Sequence, residues 1–139
     1  MFDHCLYFNT AALARTVERE WTAAYAPFSL TPAQGFVLRV VLRRPGVLNR
    51  ELADVLGIAR PTATRLVDGL AAKGLIERQP SANDGREWNL FPTDAARKLD
   101  APLQAASAKV ARRLRELVGG DMFDETVQAI RDVRHALQT

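Results

Sequence analysis

Apolar residues recur every three or four positions along most of this chain, and one short stretch departs from that rhythm. Leu6, Thr10, Leu13, Val17, Trp21 and Ala24 keep helical spacing, which predicts one long helix over roughly residues 3–25, ending before Pro27. Thr31-Pro32-Ala33-Gln34 has the form of a capping box with Pro at the first helical position, and opens a second helix through about Arg43. Asn49 is expected to cap the run Glu51-Leu52-Ala53-Asp54-Val55-Leu56, with Gly57 as its stop. Pro61 opens a further helix through Lys73, which Gly74 ends. The period then changes. Leu75–Gln79 and Glu87–Phe91 read as two short strands around Pro80–Arg86, a segment dense in turn formers. Thr93 caps the next helix, with Leu99, Leu103, Ala106, Val110, Leu114 and Leu117 on its apolar side and a bend expected at Pro102. Gly119-Gly120 breaks the chain, and Phe123, Val127, Ile130, Val133 and Leu137 mark a last helix.

Helix, tight turn, helix and hairpin, in that order between Leu48 and Pro92, is the pattern of a winged helix-turn-helix. The expected fold is mainly α with a small β-wing. It is read as a single domain over residues 1–139, with a DNA-binding core at 31–92 flanked by dimerisation helices at 1–30 and 93–139. At about 100° per residue, Ala63, Leu66, Val67 and Leu70 share one face of the second helix and belong to the core. Arg65, Asp68 and Ala72 lie opposite, with Thr62 and Thr64 on the flanks. An Arg can fork to guanine O6 and N7, and a Thr methyl can touch thymine. Arg60 is a poor cap, so DNA explains its charge better than capping does. Asn49 joins the expected DNA-facing set. Arg86 sits where a wing tip enters the minor groove, whose negative potential attracts Arg. Asp84 is counterproductive on such a surface unless it holds Arg86 or ties the wing down through an ion pair.

These residues carry a resemblance. Glu51-Leu52-Ala53 through Leu56-Gly57-Ile58, then Pro61-Thr62-Ala63-Thr64-Arg65-Leu66-Val67-Asp68, then Lys73-Gly74-Leu75-Ile76-Glu77-Arg78, are similar to the MarR family of bacterial transcription regulators. Asp84-Gly85-Arg86 resembles that family's wing motif Asp-x-Arg, and Thr93-Asp94-Ala95-Ala96 its Thr-x-x-Gly, with Ala96 in place of the Gly. Gly69 stands where a charged residue is common and costs about 1 kcal/mol of helix stability relative to Ala. The resemblance implies a transcription regulator, most often a repressor, that leaves its operator when a ligand or oxidant changes the spacing of its recognition helices. It also implies a crevice for a small aromatic acid between the dimerisation helices and the winged domain. Tyr7, Arg15, Trp21, Tyr25, Phe28 and Phe36 lie on the elements that would line it, although aromatics at helical spacing are equally ordinary core. One branch of the family senses hydroperoxides with a single Cys near the N-terminus. Cys5 is the only candidate, and a buried structural thiol is the expectation preferred for it.

Composition narrows the picture further. The chain has 139 residues, 47% of them hydrophobic, which suits one domain. It has no apolar run long enough to span a membrane and no signal-peptide pattern, and a lone Cys fits a reducing cytoplasm. Net charge is only +3, so positive charge must be concentrated locally; between Arg39 and Arg86 nine basic residues face five acidic ones. The terminal helices carry apolar stripes that one small domain cannot bury, which predicts a homodimer on a pseudo-palindromic double-stranded DNA operator. His4, Cys5 and His135 could meet across the packed termini, but metal-ligand spacing is absent and no metal or cofactor is expected. No motif points to an enzyme. A winged-helix module for protein contacts is the alternative from another class, and the basic residues at 60, 65 and 86 argue against it.

Overall fold

The computed structural model describes residues 1–83 and 85–138. Helix α1 spans Leu6–Tyr25 and begins later than the periodicity suggests, because Cys5 takes the cap position and its Sγ accepts the Phe8 N–H at 3.5 Å. A 3-10 turn, Ala26–Phe28, follows. Ser29 then adopts a left-handed conformation (φ 56°), and the chain reverses into α2, Pro32–Arg43. The Thr31 capping box is complete: Thr31 Oγ1 accepts from Gln34 N at 3.2 Å, and Gln34 Oε1 accepts from Thr31 N at 3.1 Å.

The expected hairpin is part of a three-stranded sheet. Val47–Leu48 forms a short strand, β1, too brief for a period-two pattern to reveal. Strands β2, Ile76–Pro80, and β3, Trp88–Pro92, pair antiparallel, and β1 joins β3 on its other side with Val47 opposite Leu90. Helix α3, Asn49–Leu56, leaves β1 directly. Leu48, not Asn49, is therefore its cap residue, and Glu51 Oε2 accepts the Leu48 N–H at 3.4 Å. Gly57 closes α3 at φ 66° as expected. Helix α4, Arg60–Ala72, starts one residue before Pro61 and buries Ala63, Val67 and Leu70.

Past the sheet, Thr93 caps α5, Asp94–Val118, with Oγ1 accepting from Ala96 N at 3.2 Å. Helix α5 continues undivided through Pro102, whose missing N–H leaves one carbonyl without its usual partner. Gly119, at φ 92°, separates α5 from α6, Gly120–Leu137. Arg115 clasps Asp124 across that break, which holds the Asp124 carboxyl below its ordinary pKa. The core gathers Tyr25, Leu38, Leu52, Leu70, Leu90 and Leu103, so α5 is anchored to the winged module at one end and to α1 along its length. The outer ends are bare. Leu6, Leu13, Leu117, Val127, Ile130, Val133 and Leu137 are all exposed, and α6 has no buried residue.

Candidate nucleic-acid interface

Helix α4 presents its polar face beside the sheet. Arg60, Thr64 and Arg65 are exposed and Thr62 is half-buried. Arg65 folds back, donating from Nη2 to Thr62 Oγ1 at 3.4 Å. Thr64 Oγ1 donates to the Arg60 carbonyl at 3.1 Å and accepts from Asn49 Nδ2 at 3.2 Å. Asn49 also lies 3.5 Å from the Arg60 carbonyl. It does not cap α3; it fastens α3 to the start of α4 and lines the cleft between α4 and the wing. The reason is local: with Leu48 in β1 and its N–H satisfied by Glu51, the Asn49 amide is free to cross the turn.

Arg86 is exposed, and with Asn49, Arg60, Thr64, Arg78 and Trp88 it lines a cleft of about 310 Å³ between α4 and the wing. Four guanidinium groups, of Arg50, Arg60, Arg78 and Arg86, line this cleft with one carboxylate, Glu87, so basic groups outnumber acidic ones in its wall despite the chain's modest net charge. Arg78 pairs with Asp68, removing the one acidic group on the outer face of α4. Arg50 lies 3.6 Å from Glu87. Arg50, Arg78 and Trp88 were not singled out from sequence; the ten-residue spacing from Asp68 to Arg78, across the α4–β2 turn, was the available signal. The Asp84 assignment falls outside the described residues.

A second cluster joins the winged module to the long helices. Trp21, Tyr25 and Phe36 come together, with ring centroids 6.5 Å (Trp21–Phe36) and 6.0 Å (Tyr25–Phe36) apart. Half-buried Phe28 packs against the core. Tyr7 and Arg15 do not join them. Tyr7 is 14 residues from Trp21, roughly 21 Å along the helix, and is 81% exposed. Arg15 is exposed and lies about 120° round α1 from Trp21. Two unforeseen residues complete the cluster. Arg39 stacks over Phe36 at 5.3 Å and donates from Nη1 to Ser107 Oγ at 2.9 Å and to Tyr25 Oη at 3.3 Å. Ser107, buried on α5, also accepts from Trp21 Nε1 at 3.3 Å and bonds the Tyr25 hydroxyl. The sequence signal for Ser107 was a polar residue at i+4 from Leu103, inside an apolar stripe. Among the described residues Arg39 makes no ion pair, and its buried Nε has no hydrogen-bond partner.

Cys5 is exposed, which corrects the expectation of a buried thiol: it precedes α1 at an uncovered end of the chain. Among the described residues no group of three or more His, Cys, Asp or Glu could hold a metal ion, and no helix is long and apolar enough to cross a membrane.

Recognition helix, basic cleft and wing define a winged helix-turn-helix DNA-binding protein. Residues 28–87 match the model of the MarR family. The repressor CouR, solved bound to a 23-mer DNA duplex, is 32% identical, with 96% of this chain and 94% of that one covered at a TM-score of 0.81. The S. aureus MepR–DNA complex shares the fold at 18% identity, covering 96% and 99% of the two chains, with a TM-score of 0.84. An uncharacterized HTH-type transcriptional regulator, YybA of Bacillus subtilis (strain 168), is 26% identical over 87 residues; the match spans 63% of this chain and 58% of that protein. The chain belongs to the MarR family of transcription regulators.

Proposed function

We propose that this regulator is a repressor that binds a pseudo-palindromic operator as a homodimer and is released by a small aromatic acid. The similarity to CouR supports repression on duplex DNA. The uncovered apolar faces of α1, α5 and α6 support the dimer: seven large side chains left in water along three helices are a surface that a second copy would cover. A two-fold pair of α4 helices would then address half-sites about one helical turn apart.

The observation that carries the effector is Arg39. Its guanidinium is partly withdrawn from water over the Phe36 ring, its Nε has no partner among the described residues, and its Nη1 donates to the Tyr25 and Ser107 hydroxyls. Trp21, Tyr25, Ser107 and Arg39 together offer more donors than acceptors, and among the described residues no carboxylate is bonded to them. A planar carboxylate supplies the missing acceptors, and an aromatic body suits Trp21 and Phe36, which with Ala14, Val17 and Pro32 line an adjoining crevice of about 450 Å³ whose one carboxylate is Glu18. Ser107 belongs to α5 and Arg39 to α2, so a ligand inserted between them would act on the joint that sets the spacing of the winged modules.

The test titrates salicylate, and the neutral salicylamide as control, against the protein on an operator selected from a random-sequence duplex pool. Salicylate should release the operator and salicylamide should not. Arg39→Met should weaken the response about tenfold or more, the weight of a charge-assisted hydrogen bond. Equal potency of acid and amide would refute the anionic effector. The exposure of Cys5 supports a second reading, release by oxidation. Peroxide-driven release that vanishes in Cys5→Ser would establish it in place of the first; the aromatic-acid reading expects no response to stoichiometric peroxide.

A further inference from the structure

We infer that Trp88 seats the sugar–phosphate strand that separates the two grooves read by α4 and the wing; this rests on the DNA-binding reading above. With a recognition helix in the major groove and a wing at the adjacent minor groove, one backbone strand must pass between them. In this chain the space between them is the basic cleft, with Arg60 and Thr64 on the helix side, Arg86 on the wing side and Trp88 in its wall.

Strand alternation places Trp88 on the same face of β3 as Leu90 and Pro92, both buried. The sheet runs past the edge of the core at this point, so the apolar side of the strand continues into solvent and Trp88 is left 46% exposed. An indole that only padded the base of the wing would be covered by its neighbours. Instead its N–H has no hydrogen-bond partner among the described residues, and it shares the cleft wall with Arg60, Arg78 and Arg86, of which Arg78 is paired with Asp68. Arg60 forms no ion pair among the described residues, while Glu87 engages Arg50. A phosphodiester strand satisfies this set: phosphate beside Arg60, deoxyribose against the indole face, and the indole N–H directed to a phosphate oxygen. Such a seat carries no base sequence. It fixes how deeply the helix and the wing can enter their grooves.

The experiment follows tryptophan emission and anisotropy together while the full-length protein is titrated with a random-sequence duplex of about 24 base pairs, long enough for two half-sites. The chain has two tryptophans, and Trp88→Phe leaves Trp21 alone. Wild-type emission should fall in step with binding, and the fall should be absent in Trp88→Phe. Trp88→Ala should weaken random and selected duplexes alike, by about three- to tenfold, with their affinity ratio unchanged. Should Trp88→Ala fail to fold, the wild-type and Trp88→Phe emission still decides. Duplex binding with unchanged wild-type emission overturns the seat and leaves DNA binding standing. Binding to no duplex at all overturns both.

Discussion

Gly35→Ala tests the packing beneath the aromatic cluster, and two opposed effects set its sign. Gly35 lies inside α2, where replacing Gly by Ala ordinarily stabilises a helix by about 1 kcal/mol. Here a Cβ would overlap the ring of Tyr25, a fully buried side chain. The ring has no easy retreat, because its hydroxyl is held by Ser107 and Arg39 and its face by Phe36. Overpacking a rigid site costs about 1–3 kcal/mol. Displacing the hydroxyl from one of its two partners adds about 1 kcal/mol. The steric and polar terms outweigh propensity, giving a net loss of about 1–3 kcal/mol. At about 4 °C per kcal/mol for a chain of this size, the melting temperature should fall by roughly 4–12 °C. Gly69→Ala is the internal control: it also lies within a helix, but its Cβ would meet only the flexible end of Gln34 at 3.1 Å. That variant should be neutral to about 1 kcal/mol more stable. Thermal unfolding followed by circular dichroism reads both. If Gly35→Ala melts at or above the wild-type temperature, Tyr25 is free to move and the hydroxyl network does not anchor it.

Arg65→Ala should cost about 1–3 kcal/mol on the selected operator and relax preference at one base pair per half-site, read by competition with single-site operator variants. Arg86→Ala should weaken binding to all sequences and flatten the salt dependence by about one unit of slope; wild-type affinity in both variants would remove them from the interface. Deleting residues 121–139 should abolish the dimer and operator binding together, and sedimentation showing an intact, DNA-binding dimer would refute an interface built on α6. Asp124, its carboxyl held below the ordinary 3.8 by Arg115, should bind its proton only at lower pH. Its contribution to joining α5 and α6 is therefore present above the unfolded value and lost as pH falls through the folded one. Carboxyl NMR titration of wild type against Arg115→Gln checks the direction, which should reverse toward the ordinary value.

Helices, caps and breaks were legible because their signals are local. Thr31 and Gln34, Thr93, Gly57 and Gly119 each act within a few residues, and the apolar period that marks α1, α4 and α5 spans only a turn or two. The recognition helix and wing were legible for the same reason, as was the surplus of apolar surface on the terminal helices. What the sequence left open depends on which distant residues meet. A two-residue strand has no period, so β1 exists only because β3 lies beside it, and that pairing moved the cap of α3 from Asn49 to Leu48. Asn49 was then free to hold Thr64, fifteen residues away. Arg39 and Ser107 are 68 residues apart, and only the packing of α5 on α2 makes the one a half-buried cation without an ion pair among the described residues and the other its acceptor. Trp88 reads from sequence as an ordinary strand residue; the point where the sheet overruns its core decides that the indole stands in a basic cleft. Local chain chemistry thus determined the elements, and the tertiary structure decided which side chains share a site, because burial and charge balance are properties of contacts between elements.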